Sequence, residues 1–436
     1  MSRADIALRY FNSMDEATKL RIASGIELNR KGNCEITVKA KEGELPADIT
    51  VIAEQTNHEF KFGANIFMLD EFENEEKNKI YREKFPELYN LATVPFYWSD
   101  LEPERGKPRY AKDSPKIYRR PAPDLCVEYC KEKGIEPKCH CLNYDNFLPE
   151  WLMDATVSEH KAMLEKRFRE IAERYAADLP SFEVTNETLQ RAKSKFFYED
   201  DFVEWSFRMA ERYFPLNRLI INDYNQWWPN HTNRAAYFMQ IERLIRKGHR
   251  VDSIGFQFHS FFPMESEMEM SKTRYNPDQL FAMMDNYAKL GRAEQITEMT
   301  IPAYGADEEN EFVQAELMRH VYEIFFSHPA MEAIIYWNLV DGYAAFAPQG
   351  DMTAGENKYH GGLLRFDMSE KPAFKVMKQL INEEWHTSAQ VALKDGHGSF
   401  RGFYGDYKLT VHAGGKAIPA QCTLSKENPG RVEIII

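Results

Sequence analysis

The sequence predicts a (β/α)8 TIM barrel carrying a small accessory β-sandwich, and three observations lead there. Strand-like apolar runs alternate with amphipathic, charge-laced stretches eight times through the middle of the chain. Strict alternation of strand and helix means parallel pairing with right-handed crossovers, and eight such units suit closure into a barrel. Both ends of the chain instead carry short alternating runs separated by turn residues.

The predicted strands are Phe60–Ile66, Leu91–Tyr97, Ile135–Cys141, Ser181–Glu187, Arg218–Tyr224, Asp252–Phe258, Glu294–Thr300 and Ala333–Leu339. Between them, Ser158–Tyr175, Thr232–Lys247 and Glu308–Phe326 repeat apolar residues at helical spacing, and Ser369–Glu384 follows the eighth strand. An open doubly wound sheet would want a glycine fingerprint after its first strand, and Phe62-Gly-Ala-Asn-Ile-Phe has none.

At the N-terminal end, Cys34–Lys39 and Asp48–Glu54 alternate around the turn-like Glu42-Gly-Glu-Leu-Pro. After Trp385, Ala389–Leu393, Tyr407–His412, Ala420–Leu424 and Val432–Ile436 do the same. Isolated hairpins are marginal in water, so the two ends are expected to pack together. The expected division is residues 1–57 (a helix and the N-terminal strands of the accessory module), 58–385 (the catalytic barrel) and 386–436 (the module's C-terminal strands).

Composition excludes some functions. A formal net charge of −13 argues against nucleic acid, which needs lysine and arginine to neutralise phosphates. No run approaches the roughly 18 uninterrupted apolar residues of a membrane span. The opening MSRADIALRYFNSMDEATKL lacks the apolar core of a secretory signal, so the expectation is a cytoplasmic protein, or one whose signal was removed before this numbering begins. Aromatic residues make up 13% of the chain, which suits a sugar-binding cleft and equally a large core. Cys126 with Cys130, and Cys139 with Cys141, offer a metal-site pattern, but their spacing is looser than usual for zinc. Buried free thiols are the expectation, with no metal and no cofactor.

Two glutamates stand where apolar runs stop. Glu187 ends Phe182-Glu-Val-Thr-Asn-Glu187, and Glu298 lies in Gln295-Ile-Thr-Glu298-Met. A carboxylate inside a packed strand is costly, but barrel enzymes collect their chemistry at strand C-termini. Two carboxylates facing one bond are the minimal apparatus for cleaving a glycoside. Asn186 places an amide beside Glu187 that is able to bond a sugar hydroxyl. Gln257 and His259 share a face of the sixth strand, where His259 would bond Glu298 and hold it ionised. Trp337 offers a flat apolar floor for a sugar ring. Core packing is the competing reading for both His259 and Trp337.

Together these motifs resemble glycoside hydrolase family 10, best known for endo-β-1,4-xylanases, over roughly residues 58 to 384. The matching segments are Phe60-Lys-Phe-Gly63-Ala, Trp98 through Leu101-Glu-Pro103, His140 with Leu148-Pro149-Glu-Trp151, and Val184-Thr-Asn186-Glu187. They continue through Ile221-Asn-Asp-Tyr-Asn225, Ile254-Gly-Phe-Gln257-Phe-His259, Ile296-Thr-Glu298, Trp337 with Asp341, Leu363–Asp367 and Lys371-Pro-Ala373. The resemblance implies Glu187 as general acid/base and Glu298 as nucleophile. It places His140, Asn186, Gln257, His259 and Trp337 around the reacting sugar, with Tyr224 on the leaving-group side.

The chain departs from that family at the neighbouring sugar. The usual Glu-Asn pair and Lys before the second-strand tryptophan are replaced by Thr93-Val94-Pro95-Phe96-Tyr97. Tyr144 and Asp145 stand for a tryptophan and a histidine, and Thr300 stands for an aspartate. A second late tryptophan, expected near Ala345 and Phe346, is absent. Tyr97 and Tyr144 thus become candidate sugar contacts. The expected substrate is a short or decorated β-linked oligosaccharide, or a glycoside with a non-sugar aglycone, with an ordinary xylanase as the alternative. A non-catalytic sugar-binding relative would have no need for both Glu187 and Glu298. A metal-dependent barrel hydrolase would want a His-x-His pair ending the first strand, and none is there.

Overall fold

The computed structural model describes residues 1–190, 192–224, 235–428 and 430–436. Asn225, the first three residues of the predicted helix Thr232–Lys247 and Pro429 lie outside the described residues. After three helices within the first thirty residues come β1 (Lys31–Lys39) and β2 (Ile49–His58). The barrel strands follow as β3 (Lys61–Asn65), β4 (Leu91–Pro95), β5 (Glu136–His140), β6 (Ser181–Asn186), β7 (Arg218–Asp223), β8 (Ser253–His259), β9 (Ala293–Thr300) and β10 (Met331–Tyr336). The chain ends with β11 (Ser388–Leu393), β12 (His397–Phe403), β13 (Gly405–Ala413), β14 (Lys416–Leu424) and β15 (Arg431–Ile435).

Strands β3 to β10 close into one barrel in sequence order, with β10 pairing in parallel to both β3 and β9. Each apolar run became a strand because both of its faces are covered, one by the barrel interior and one by a helix. All residues of β4 and β6, for example, are buried. The flanking helices carry legible ends. Val157–Tyr175 opens with a capping box made by Thr156 and Glu159, and Pro372 occupies the first turn of Pro372–Gln379. The eighth strand stops at Tyr336, earlier than expected, so Trp337 lies just past it, its backbone N–H still bonded to the Met299 carbonyl at 2.8 Å.

The two chain ends share one sandwich. In one sheet β1 lies between β12 and β15; in the other β2 lies between β11 and β13, with β14 outside. Cys34, Ile36 and Val38 meet Val51, Leu409, Val411 and Leu424 in a core separate from that of the barrel. Strand β12 was not predicted, because Gly398 and Gly402 break its apolar pattern. Gly402 is required by packing, since a Cβ there would stand 2.5 Å from the Tyr407 hydroxyl. The N-terminal helices dock on the barrel instead. Ala7, Leu8 and Phe11 join its core, and the buried Arg3 guanidinium bonds Glu267 at 3.0 Å and the Ala303 carbonyl at 3.0 Å.

Ending the protein at Trp385 would uncover the inward side chains of Cys34, Ile36, Val38, Ile49, Val51 and Ala53. Such a protein is expected to bind a hydrophobic dye and aggregate on mild heating. Unchanged solubility and melting temperature would contradict the shared core.

Candidate active site

The C-terminal ends of the barrel strands surround a cleft of about 810 Å3. All ten residues expected at the site line it: Tyr97, His140, Tyr144, Asn186, Glu187, Tyr224, Gln257, His259, Glu298 and Trp337. They come from seven strand ends and the loops that follow them, so only closure of the barrel brings them together.

Glu187 is the first residue beyond β6 and takes a left-handed backbone, φ +53°. Its carboxylate accepts a hydrogen bond from the Tyr144 hydroxyl at 2.6 Å and one from Gln257 Nε2 at 3.3 Å. Asn186 Oδ1 accepts from Asn222 Nδ2 at 2.9 Å and Gln257 Nε2 at 3.2 Å. With its oxygen doubly occupied, the Asn186 amide keeps its N–H donors for the cleft. Asn222 is the hub of this arrangement, because it also donates to Glu298 Oε1 at 3.0 Å and accepts from Thr297 Oγ1 at 2.5 Å. Gly255 on the neighbouring strand makes room for it, since a Cβ there would stand 2.9 Å from Asn222 Oδ1.

Glu298 lies on β9, fully inside the barrel mouth, and His259 Nε2 meets its Oε2 at 3.0 Å. The expected contact is present, but its electrostatics differ from expectation. Burial drives the His259 pKa down to about 4, so the ring is neutral and serves as a hydrogen-bonding group rather than a counter-charge. Burial likewise pushes Glu298 up to about 8, opposed mainly by the positive charge of His140. A neutral His259 therefore does not hold Glu298 ionised.

The charge comes from a layer beneath. Lys138 and His140 on β5 both bond Glu183 on β6, and all three side chains are buried. Burial alone would raise the Glu183 pKa, but Lys138 and His140 outweigh it and bring it to about 2. Burial would lower that of His140, yet Glu183 raises it overall. His140 Nε2 then reaches the Tyr97 hydroxyl at 3.0 Å. Lys138 and Glu183 were not singled out from sequence, although a lysine and a glutamate inside adjacent apolar strands are themselves a signal for a buried pair. The donor atoms of His140, Glu183 and Glu298 lie within 4.8 Å of one another, close enough to ligate a metal. Lys138 already supplies a cation to Glu183, so this trio is poorly suited to a second one. Cys126, Cys130, Cys139 and Cys141 are buried free thiols.

Asp223 also went unrecognised. It accepts from the Thr188 N–H at 2.9 Å and the Tyr224 N–H at 2.8 Å, and burial pushes it up to about 7, with the charge of Glu187 adding to the shift. The aromatic floor is Trp337 with Phe67, Tyr97 and Tyr144. Other motif residues are structural. Trp98 Nε1 donates to Glu102 at 2.9 Å, and the buried Asp341 pairs with Lys371 at 2.6 Å.

The sequence profile of Glycosyl hydrolase family 10 matches residues 52–379. The chain belongs to that family of glycoside hydrolases. Among curated relatives, Endo-1,4-beta-xylanase 2 of Arabidopsis thaliana is 22% identical over 405 residues, covering 92% of this chain but 34% of the relative. This chain thus spans about a third of that relative's length. Endo-1,4-beta-xylanase B of Thermotoga neapolitana is 25% identical over 358 residues, covering 78% of this chain and 94% of the relative. The family fold is also seen in the crystal structure of native xylanase 10B from Thermotoga maritima. That structure is 24% identical, with a TM-score of 0.59, and the match covers 75% of this chain and 96% of that one.

Substituting Glu298→Gln tests the electrostatics of this family member directly. Gln keeps an acceptor for Asn222, and His259 can change tautomer to receive its N–H. A carboxyl raised from 4.5 to about 8 stabilises the fold only while protonated, and that stabilisation is lost as pH rises toward 8. The variant should therefore melt roughly 2–4 °C above the parent at pH 8, with the gap closing near pH 4. A variant less stable than the parent at pH 8 would contradict the assignment.

Proposed function

We propose that the protein is a retaining β-glycosidase in which Glu298 is the nucleophile and Glu187 the general acid/base. The observation that supports this most is that both carboxyl groups face one cleft and are tied into one hydrogen-bond chain through Gln257, Asn186 and Asn222. Retention needs a pair of carboxyl groups flanking the glycosidic bond. Glu298 attacks the anomeric carbon while Glu187 protonates the leaving oxygen. Water, deprotonated by Glu187, then releases the sugar from Glu298. The Asn186 N–H donors, aimed into the cleft, bond the hydroxyl next to the reacting carbon, and Trp337 supports the ring.

Attack requires ionised Glu298, so the acid limb of the pH profile reports its deprotonation. Activity should rise with pH through that limb. With Glu298 pushed up to about 8, the acid limb of kcat/KM should lie well above the ordinary carboxylate range. A limb near pH 4 would contradict this. Glu187→Ala should slow glycosides with poor leaving groups about 10²–10⁴-fold and activated aryl glycosides far less. Proton NMR of the first-formed product should show the anomer of the substrate, and an inverted product would overturn the mechanism.

For substrate, we favour short or decorated β-linked oligosaccharides, or glycosides with a non-sugar aglycone. The second-strand segment Thr93–Tyr97 has neither the lysine nor the carboxylate and amide that the resemblance leads one to expect. Its Tyr97 hydroxyl is engaged by His140, so this segment offers few free polar groups to a sugar. The names of the Arabidopsis and Thermotoga relatives favour the second reading, an ordinary endo-β-1,4-xylanase. Comparing kcat/KM on linear xylohexaose and on a panel of short β-glycosides separates the two. A clear win for xylohexaose would leave the xylanase reading standing.

A further inference from the structure

The geometry points to an anionic sugar, carrying a carboxylate or a sulfate ester, bound by Arg119 and Arg120 at the Tyr97 end of the cleft. This rests on the glycosidase reading above and names the decoration it selects. Both arginines line the cleft and sit side by side in the loop between β4 and β5. The Arg120 guanidinium lies over the Tyr97 ring, 4.2 Å from its centroid, and 5.5 Å from that of Phe67. Arg119 lies 5.9 Å from the Phe67 centroid and bonds Asn338, the residue after Trp337, at 3.1 Å. Both charges therefore stand beside the Trp337 floor on which a sugar would rest, against Tyr97 and Phe67.

Two positive charges here are a cost unless an anion joins them. Arg119 is buried, 5% exposed, with its backbone in the left-handed region at φ +63°. Its neighbours do not neutralise the pair. Arg120 bonds Asp100 through Nε at 2.8 Å and the Arg119 carbonyl through Nη1 at 2.9 Å. Among the described residues its Nη2 takes no hydrogen bond. Arg119 uses Nη1 on Asn338 and on the Tyr343 carbonyl, both neutral acceptors. Glu356 also lies near Arg119, but its carboxyl accepts from the Asn338 amide at 3.4 Å rather than from the guanidinium. Among the described residues, Asp100 is the one carboxylate in direct ion pairing with either guanidinium. In a protein of net charge −13, cations concentrated on a cleft wall are not a by-product of composition. A guanidinium fork fits a carboxylate or sulfate, and hydrogen bonds to charged partners are about twice as strong as neutral ones.

The test compares three forms of one β-linked oligosaccharide with the unmodified protein: a uronic-acid-substituted form, its neutral methyl ester, and a form sulfated at the same position. Preference for the free acid over its ester by about tenfold in kcat/KM, shrinking in 0.5 M salt, supports the carboxylate. An equal preference for the sulfated form alone supports the sulfate ester. Arg120→Gln should reduce either preference toward unity, and Arg120→Lys, which keeps the charge but not the fork, should retain part of it. If the ester is cleaved as well as both anionic forms, the anionic site is wrong while the glycosidase reading stands. If none of the three forms and no aryl β-glycoside is cleaved, both fall.

Discussion

The site depends on one buried arrangement, the ion-paired chain Lys138–Glu183–His140 beneath the floor of the cleft. Burying a lone charge in a barrel interior would cost many kcal/mol, so each of these groups is tolerable only with the others in place. Adjacent parallel strands provide the juxtaposition, because β5 and β6 pair from Lys138 onward. Once set, the chain fixes His140, His140 orients the Tyr97 hydroxyl, and its positive charge opposes the effect of burial on Glu298. Replacing only Glu183 would leave a lysine and a histidine facing each other, so the three behave as a unit.

Above this layer the carboxyl groups are held by neutral partners. Asn222, Gln257 and Asn186 connect Glu298 with Glu187, and neutral His259 completes the set. Burial that pushes Glu298 up to about 8 favours its protonated form and avoids the cost of a buried carboxylate. The nearby His140 charge opposes that shift. Functional sites commonly sacrifice stability in this way.

The barrel was legible in the sequence because fully buried parallel strands appear as continuous apolar runs, and the observed strands begin and end within a few residues of expectation. The glutamates were legible for the converse reason, since charge at the end of an apolar run stands out. Asn222 was not, because its role arises from the register of β7 against β8 and from the space left by Gly255, neither of which is local in sequence. Strand β12 was hidden by its glycines, of which Gly402 makes room for Tyr407 and Gly398 for Leu393 and Val391. The neutral state of His259 was hidden as well, because proximity to Glu298 suggests an ion pair until burial is counted.

Retention requires that Glu298 form the covalent bond to sugar. Incubation with a 2-fluoro β-glycoside bearing a good leaving group should trap that intermediate, and peptide mass spectrometry should place one added sugar on the Glu298 peptide. A label on any other residue, or turnover with no covalent adduct, would contradict it.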